Sequence, residues 1–185
     1  MKPTTLTLQP SPLELALSVE ERPAKVADRT IPGHREGDLI IGKHKQTAIG
    51  TLVERTTRYT ILVALKAKDS VSVRKAYAKE LGGLPTEIAK TLTYDQGKEM
   101  SGHKQFTIGT GIQVYLAHPS CPWERGNNEN TNGLIRQYFP KGTDFSIVSV
   151  RQFKRVQREL NDRPRAALNY KEPDEVIKQL VALRV

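Results

Sequence analysis

Three acidic residues stand where a carboxylate could meet a ligand: Asp38, Asp95 and Glu129. Asp38 opens the apolar run Asp38-Leu39-Ile40-Ile41-Gly42, and Asp95 closes the run Thr91-Leu92-Thr93-Tyr94. Gly37 precedes the first and Gly97 follows two residues after the second, and glycine lets a backbone come close to a ligand. Taken singly, an aspartate at a strand end is more readily explained as a turn-former. Glu129 differs, because it lies inside the polar run Arg125-Gly126-Asn127-Asn128-Glu129-Asn130-Thr131-Asn132-Gly133-Leu134-Ile135-Arg136. With successive helical residues turning by about 100°, Arg125, Glu129, Asn132 and Arg136 fall on one stripe of the helix. A core-facing stripe would be apolar, and a solvated face needs no such order. Cation, carboxylate, amide and cation in one line suit a polar cleft that holds metal and phosphate. Asparagine and glycine are poor helix formers, so their density here is a cost that function would explain.

Three carboxylates without a cysteine or histidine cluster point to a hard cation with oxygen ligands, Mg²⁺ or Mn²⁺. Two such ions about 3.5–4 Å apart can activate an attacking oxygen and stabilise a leaving one in phosphoryl transfer. Such a site depends on positioning more than on a strong side-chain base.

The elements that must bring these acids together follow from pattern. Residues 1–32, punctuated by Pro3, Pro10, Pro12, Pro23 and Pro32, read as an N-terminal arm or linker with room for a short helix over 13–21. Residues 33–185 read as one domain. Strands are expected at 38–42, 47–54 and 59–65, joined by short polar turns at 43–46 and 55–58 into an antiparallel meander. Asp69-Ser70 offers an N-cap to a helix over 71–81, which Gly82-Gly83 would end in a left-handed conformation. A fourth strand ends on Asp95, a helix covers about 99–107, and a fifth strand covers 112–116. The polar helix spans about 124–138. Phe153, Val156 and Leu160 mark another over 150–160, and Pro173 suits the start of a last short one. A meander followed by alternating strands and helices gives an α/β fold: a ribonuclease H-like, mixed five-stranded sheet with helices on both faces. Asp38 and Asp95 then belong to neighbouring strands.

Composition limits the function. Lys and Arg outnumber Asp and Glu by 29 to 20, a net charge of +9, which favours a polyanionic partner, nucleic acid first. Between Arg136 and Arg165 there are eight basic residues and three acids, so this third is read as a DNA-facing surface. One cysteine, Cys121, excludes an internal disulfide or a paired-cysteine zinc site. No apolar run approaches the length of a membrane span, and the chain is expected in the cytoplasm, on the nucleoid.

The stretches Gly33-His34-Arg35-Glu36-Gly37-Asp38-Leu39-Ile40, Thr93-Tyr94-Asp95-Gln96-Gly97-Lys98-Glu99 and Pro122-Trp123-Glu124-Arg125 onward to Leu134 resemble bacterial insertion-sequence transposases of the thirty family, integrase-core enzymes of the DDE group. The resemblance runs from about Glu21 to Leu180. The 33 residues between Asp95 and Glu129 agree with the family's spacing. It implies Asp38, Asp95 and Glu129 as catalytic metal ligands for two Mg²⁺ or Mn²⁺. It implies Arg125, Asn132, Arg136 and Lys141 as DNA contacts, and transposon ends and target DNA as partners. A homodimer or higher oligomer would form the active complex. The implied reaction is hydrolysis at the element's end followed by strand transfer. Arg35 stands where the family usually has tryptophan, and Glu124 where glutamine is common. Family members carry helix-turn-helix regions for which nothing ahead of Gly33 is long enough, so a catalytic core alone is expected. That leaves as an alternative a truncated, non-catalytic fragment that binds DNA or the full-length protein. A nuclease for RNA–DNA hybrids is permitted by element order but opposed by the stretch around Glu129. His34 is expected to make a structural hydrogen bond, Glu99 is a candidate auxiliary acid, and Trp123 a stacking or core residue. The segment 161–170 resembles the end of integrase cores and reads as a packing turn that docks the last helix.

Overall fold

The computed structural model describes residues 17–22, 26, 30–97, 101–119, 121 and 126–182. Among these, six strands form one mixed sheet: β1 (Leu17–Ser18), β2 (His34–Ile41), β3 (Ala48–Glu54), β4 (Thr60–Ala64), β5 (Thr91–Tyr94) and β6 (Gln113–Leu116), in the spatial order β1-β6-β5-β2-β3-β4. The meander β2-β3-β4 is antiparallel, and β5, β6 and β1 add to it in parallel. Among the described residues five α-helices pack around it: α1 (Ser70–Gly82), α2 (His103–Thr110), α3 (Gly126–Tyr138), α4 (Val150–Asn161) and α5 (Pro173–Ala182).

Alternation along the strands divides the core in two. On one face Leu52, Ile61, Val63, Leu92, Val114 and Leu116 meet Val73, Tyr77 and Leu81 of α1 and Phe106 of α2. On the other, Ile40, Ile49 and Leu62 meet Ile135 of α3 and Phe153, Val156 and Leu160 of α4. The helices are spaced for this: Val73, Tyr77 and Leu81 recur every four residues on α1, and Phe153, Val156 and Leu160 line one side of α4. Asp69 caps α1 by accepting the Ser72 N–H at 3.0 Å, and Ser149 and Gln152 form a capping box on α4.

The expected class and the meander are present, with differences of detail. The sheet gains a sixth strand, because Leu17 and Ser18 pair with Tyr115 and Leu116. The proline pattern assigns those residues to an arm with a short helix; instead they extend a sheet edge and lead into a 3₁₀ turn over Val19–Glu21. β2 begins at His34, so Asp38 lies within the strand rather than opening it. The polar residues His34, Arg35 and Glu36 hide that start, although all three are buried. Gly82 belongs to α1, and Gly83 caps it at φ −85°, not left-handed. The helix expected from 99 begins at His103; residues 98–100 lie outside the described residues.

Candidate active site

Parallel pairing of β2 with β5 sets the first two acids. Thr91 lies opposite His34 and Thr93 opposite Glu36, an offset of 57 residues (91 − 34 and 93 − 36). The same offset carries Asp38 to Asp95 (38 + 57), one residue beyond the last residue of β5. Adjacent strands run about 4.8 Å apart and residues two apart share a face. Asp38 therefore shares its face with Glu36 and with the α3 helix that bonds both, and Asp95 follows the last residue of the neighbouring strand.

The α3 helix is seated on that face by bonds near Asp38. The Asn132 side-chain amide donates to Asp38 Oδ2 at 2.8 Å. Thr51 Oγ1 lies 3.0 Å from Asn128 Oδ1 and donates to it. Glu36, fully buried, accepts the Asn128 backbone N–H on Oε2 at 3.0 Å and the Arg55 Nε–H on Oε1 at 3.1 Å. Arg55 also donates to the Val26 carbonyl at 2.8 Å, and the Asn127 amide donates to the Arg55 carbonyl at 3.2 Å. Glu129 stands on the first turn of α3, one residue after Asn128 and three before Asn132, with its side chain exposed.

Asp38 is also fixed from below. Tyr77 of α1 donates its hydroxyl to the Asp38 carbonyl at 2.8 Å. Its ring passes under β3 at Gly50, where an added Cβ would lie 2.4 Å from Tyr77 Cε1. Gly37 has a similar role: a Cβ there would meet the Tyr94 ring at 2.7 Å. The glycine beside Asp38 thus makes room for a core tyrosine rather than for a ligand. Asp95 accepts the Gly97 N–H on Oδ1 at 3.1 Å, which is the turn-forming role.

The structure brings Asp38, Asp95 and the first turn of α3 to one end of the sheet. Among the described residues it does not draw any three Asp, Glu, His or Cys side chains close enough to hold a metal. Arg136 bonds the protein through both terminal nitrogens: Nη2 donates to the Ile41 carbonyl at 2.8 Å, and Nη1 to those of Pro140 and Phe139 at 3.3 and 3.5 Å. Burial lowers its pKa. Asn132 is engaged with Asp38, Lys141 is exposed, and Arg125 lies outside the described residues, as do Trp123, Glu124 and Glu99. Arg35 is 1% exposed and donates to the Ile88 carbonyl at 3.3 Å, inside the protein. Desolvation lowers its pKa to about 10 against the opposing pull of Glu54. His34 bonds Thr91 Oγ1 at 2.9 Å, the structural bond expected. Sequence reading missed Glu36, Thr51, Arg55 and Asn128. The signal for Glu36 was its place two residues before Asp38 on the same strand face, lost when the strand is started at Asp38.

Comparison with known proteins fits this geometry. No family model matches the chain. It is 48% identical over 165 residues to the transposase InsI of insertion sequence element IS30A from Escherichia coli K12, covering 89% of this chain and 43% of that protein. It is 45% identical over 166 residues to the transposase of IS1086 from Cupriavidus metallidurans, covering 90% of this chain and 49% of that protein. The chain belongs to the IS30 family of transposases. It spans less than half the length of these two relatives. A solved structure, a simian T-cell lymphotropic virus intasome in complex with the PP2A regulatory subunit B56 gamma, aligns at a TM-score of 0.57 and 17% identity, over 71% of this chain and 49% of that one. That likeness gives the fold alone, a ribonuclease H-like α/β architecture with the two-sided sheet described above. No helix among the described residues is long and apolar enough to cross a membrane.

Proposed function

We infer that this IS30-family chain is the catalytic core of a DDE transposase, residues 33–185, in which Asp38, Asp95 and Glu129 hold two Mg²⁺ or Mn²⁺ ions. What supports the reading is the β2–β5 register, whose offset extended by two residues sets Asp38 beside Asp95, together with the Asn132 bond that seats α3 on Asp38 one helical turn from Glu129. The donor set is all carboxylate oxygen, the chemistry a hard divalent cation takes. When bound, the ions would activate the attacking oxygen and neutralise charge on the leaving one. The chain's own residues do the positioning. Asn132 holds Asp38 in one rotamer, Glu36 holds the start of α3, and Tyr77 holds the backbone of Asp38. Water attacks the phosphodiester at the element's end and leaves a 3′-hydroxyl, which attacks a phosphodiester of target DNA and displaces its 3′ oxygen. The partners are transposon-end and target DNA, in the cytoplasm, with a homodimer or higher oligomer as the active complex. Lys141, exposed just after α3, is assigned a DNA contact; Arg136 and Asn132 act as positioning residues.

The test is Mg²⁺-dependent nicking and strand transfer on an end-sequence duplex. Asp38→Asn, Asp95→Asn and Glu129→Gln should each remove activity while circular dichroism stays unchanged. Full activity in any one of them ends the assignment.

A further inference from the structure

The flank of α3 turned away from Asp38 carries cations that the carboxylate site does not use. At about 100° per residue, Glu129 and Asn132 fall on one side of the helix, buried Asn128 and Ile135 beneath it, and Asn127 and Asn130 on the opposite side. That opposite side opens on a pocket of about 330 Å³, closed across from α3 by the β3–β4 turn and the segment 165–167. Arg58 and Arg165 line it with Asn127, Asn130 and Thr131, and no acidic side chain is among its described lining residues. Arg58 is set on a left-handed backbone, φ 62°, with its N–H bonded to the Glu54 carbonyl at 2.9 Å and its carbonyl accepting Thr60 Oγ1–H at 3.1 Å. Arg165 donates Nη2–H to the Leu160 carbonyl at 2.9 Å, while its enclosed Nε has no hydrogen-bond partner among the described residues. Burial, and then Arg163 close by, lower its pKa. A half-buried cation beside another cation, with a donor left over, gains from an anion.

We propose that this pocket binds a backbone phosphate of a nucleic-acid strand, at a subsite separate from the carboxylates. This rests on the reading of the chain as a transposase core. A helix with its side chains is about 10–12 Å across, so the pocket lies roughly that far from Glu129. At about 3.4 Å of rise per nucleotide, that corresponds to roughly three nucleotides along one strand. The outer face of α3 between the two sites has low relief: a Cβ added at Gly126 or Gly133 would touch nothing within 4 Å. Asn and Thr amide and hydroxyl groups beside paired guanidinium groups are the donors that phosphate oxygens take.

The experiment measures duplex DNA affinity by fluorescence anisotropy across a salt series, with Mn²⁺ binding followed by electron paramagnetic resonance on the same proteins. Arg58→Gln and Asn130→Asp are the variants; Asn130 is exposed, so its replacement leaves the core intact. Each should make the slope of log K against log salt shallower by about 1, one phosphate contact, and leave Mn²⁺ affinity unchanged. Inorganic phosphate, titrated by amide chemical shifts, should perturb Asn127 and Asn130 in the parent and not in Arg58→Gln. Unchanged DNA slopes in both variants overturn the proposal. Phosphate binding lost with the DNA slope unchanged also overturns it, since the pocket would then serve a free anion. Failure of the carboxylate reading shows separately, as Mn²⁺ binding that survives Asp38→Asn.

Discussion

Replacing Glu36 by glutamine isolates one charge in the network that seats α3. Glu36 and Arg55 form an ion pair at 3.1 Å with side-chain exposures of 0% and 5%. A glutamine amide in that place would still offer an oxygen to the Asn128 N–H, so the backbone bond at 3.0 Å has a ready acceptor. What is lost is the counter-charge of a buried guanidinium whose Nη1 bonds the neutral Val26 carbonyl. Breaking a buried pair by removing one partner costs about 3–5 kcal/mol, because the remaining charge is left desolvated. For a domain of this size 1 kcal/mol corresponds to roughly 2–4 °C, so Glu36→Gln should melt on the order of 10 °C below the parent. Urea unfolding should show the loss as a lower midpoint at unchanged slope. The double variant Glu36→Gln, Arg55→Met removes both charges and should recover most of the loss, since neutral replacement of a whole buried pair is near neutral. A Glu36→Gln protein within about 1 kcal/mol of the parent, well below the cost of a broken buried pair, would refute the reasoning. So would a double variant no better than the single.

Two further outcomes follow from the same sheet. Asn132→Asp sets a second carboxylate against Asp38 Oδ2, now 2.8 Å from the amide nitrogen; like charges at that distance should lower the melting temperature without metal, and added Mg²⁺ should raise it by more than it raises the parent's. A Mg²⁺ response equal to the parent's would count against Asp38 as a ligand. Asn161→Ala should cost about 2–4 kcal/mol in urea unfolding, because the Asn161 amide bonds both the N–H and the carbonyl of Thr60 at 2.8 Å on buried β4 and leaves both orphaned when removed; a cost under about 1 kcal/mol would mean that water takes its place.

Much of the architecture was legible because its signals are local. β-branched runs mark β3 and β4, a capping aspartate and four-residue spacing mark α1, and Phe153, Val156 and Leu160 mark α4. What was not legible depends on partners far along the chain. β1 is two residues long and exists because β6 offers a parallel edge; nothing within Leu17–Ser18 announces it. The polar start of β2 is buried against distant partners: Thr91 for His34, Ile88 for one nitrogen of Arg35, Arg55 and Asn128 for Glu36. Hydrophobic pattern cannot show such satisfaction in advance. The segment 161–170 forms a turn, with Asn161 bound to β4 and Arg165 closing it through Tyr170 and Lys171 ahead of α5.

The stripe on α3 is the strongest functional signal in the sequence, and the structure divides it by task. The pattern alone expects its members to face DNA and metal together. In the structure the Asn132 amide bonds Asp38, and Arg136 bonds the carbonyl that ends β2 and those of Phe139 and Pro140 at the end of α3. Asp38 is thereby held at both ends, by Tyr77 at its backbone and by Asn132 at its carboxylate. Asp95 sits just past the end of β5 in its own turn, and Glu129 projects from an exposed first turn. On the proposed reading, Asp38 is the fixed ligand against which the other two close on the ions. The residues that fix Asp38 then set where the ions settle. Their loss should weaken metal binding by roughly 10–100-fold, the range for groups that orient a ligand without touching the metal. Mn²⁺ titration of Asn132→Ala and Tyr77→Phe checks this, and parent-like affinity in both would leave Asp38 without the anchoring role assigned to it.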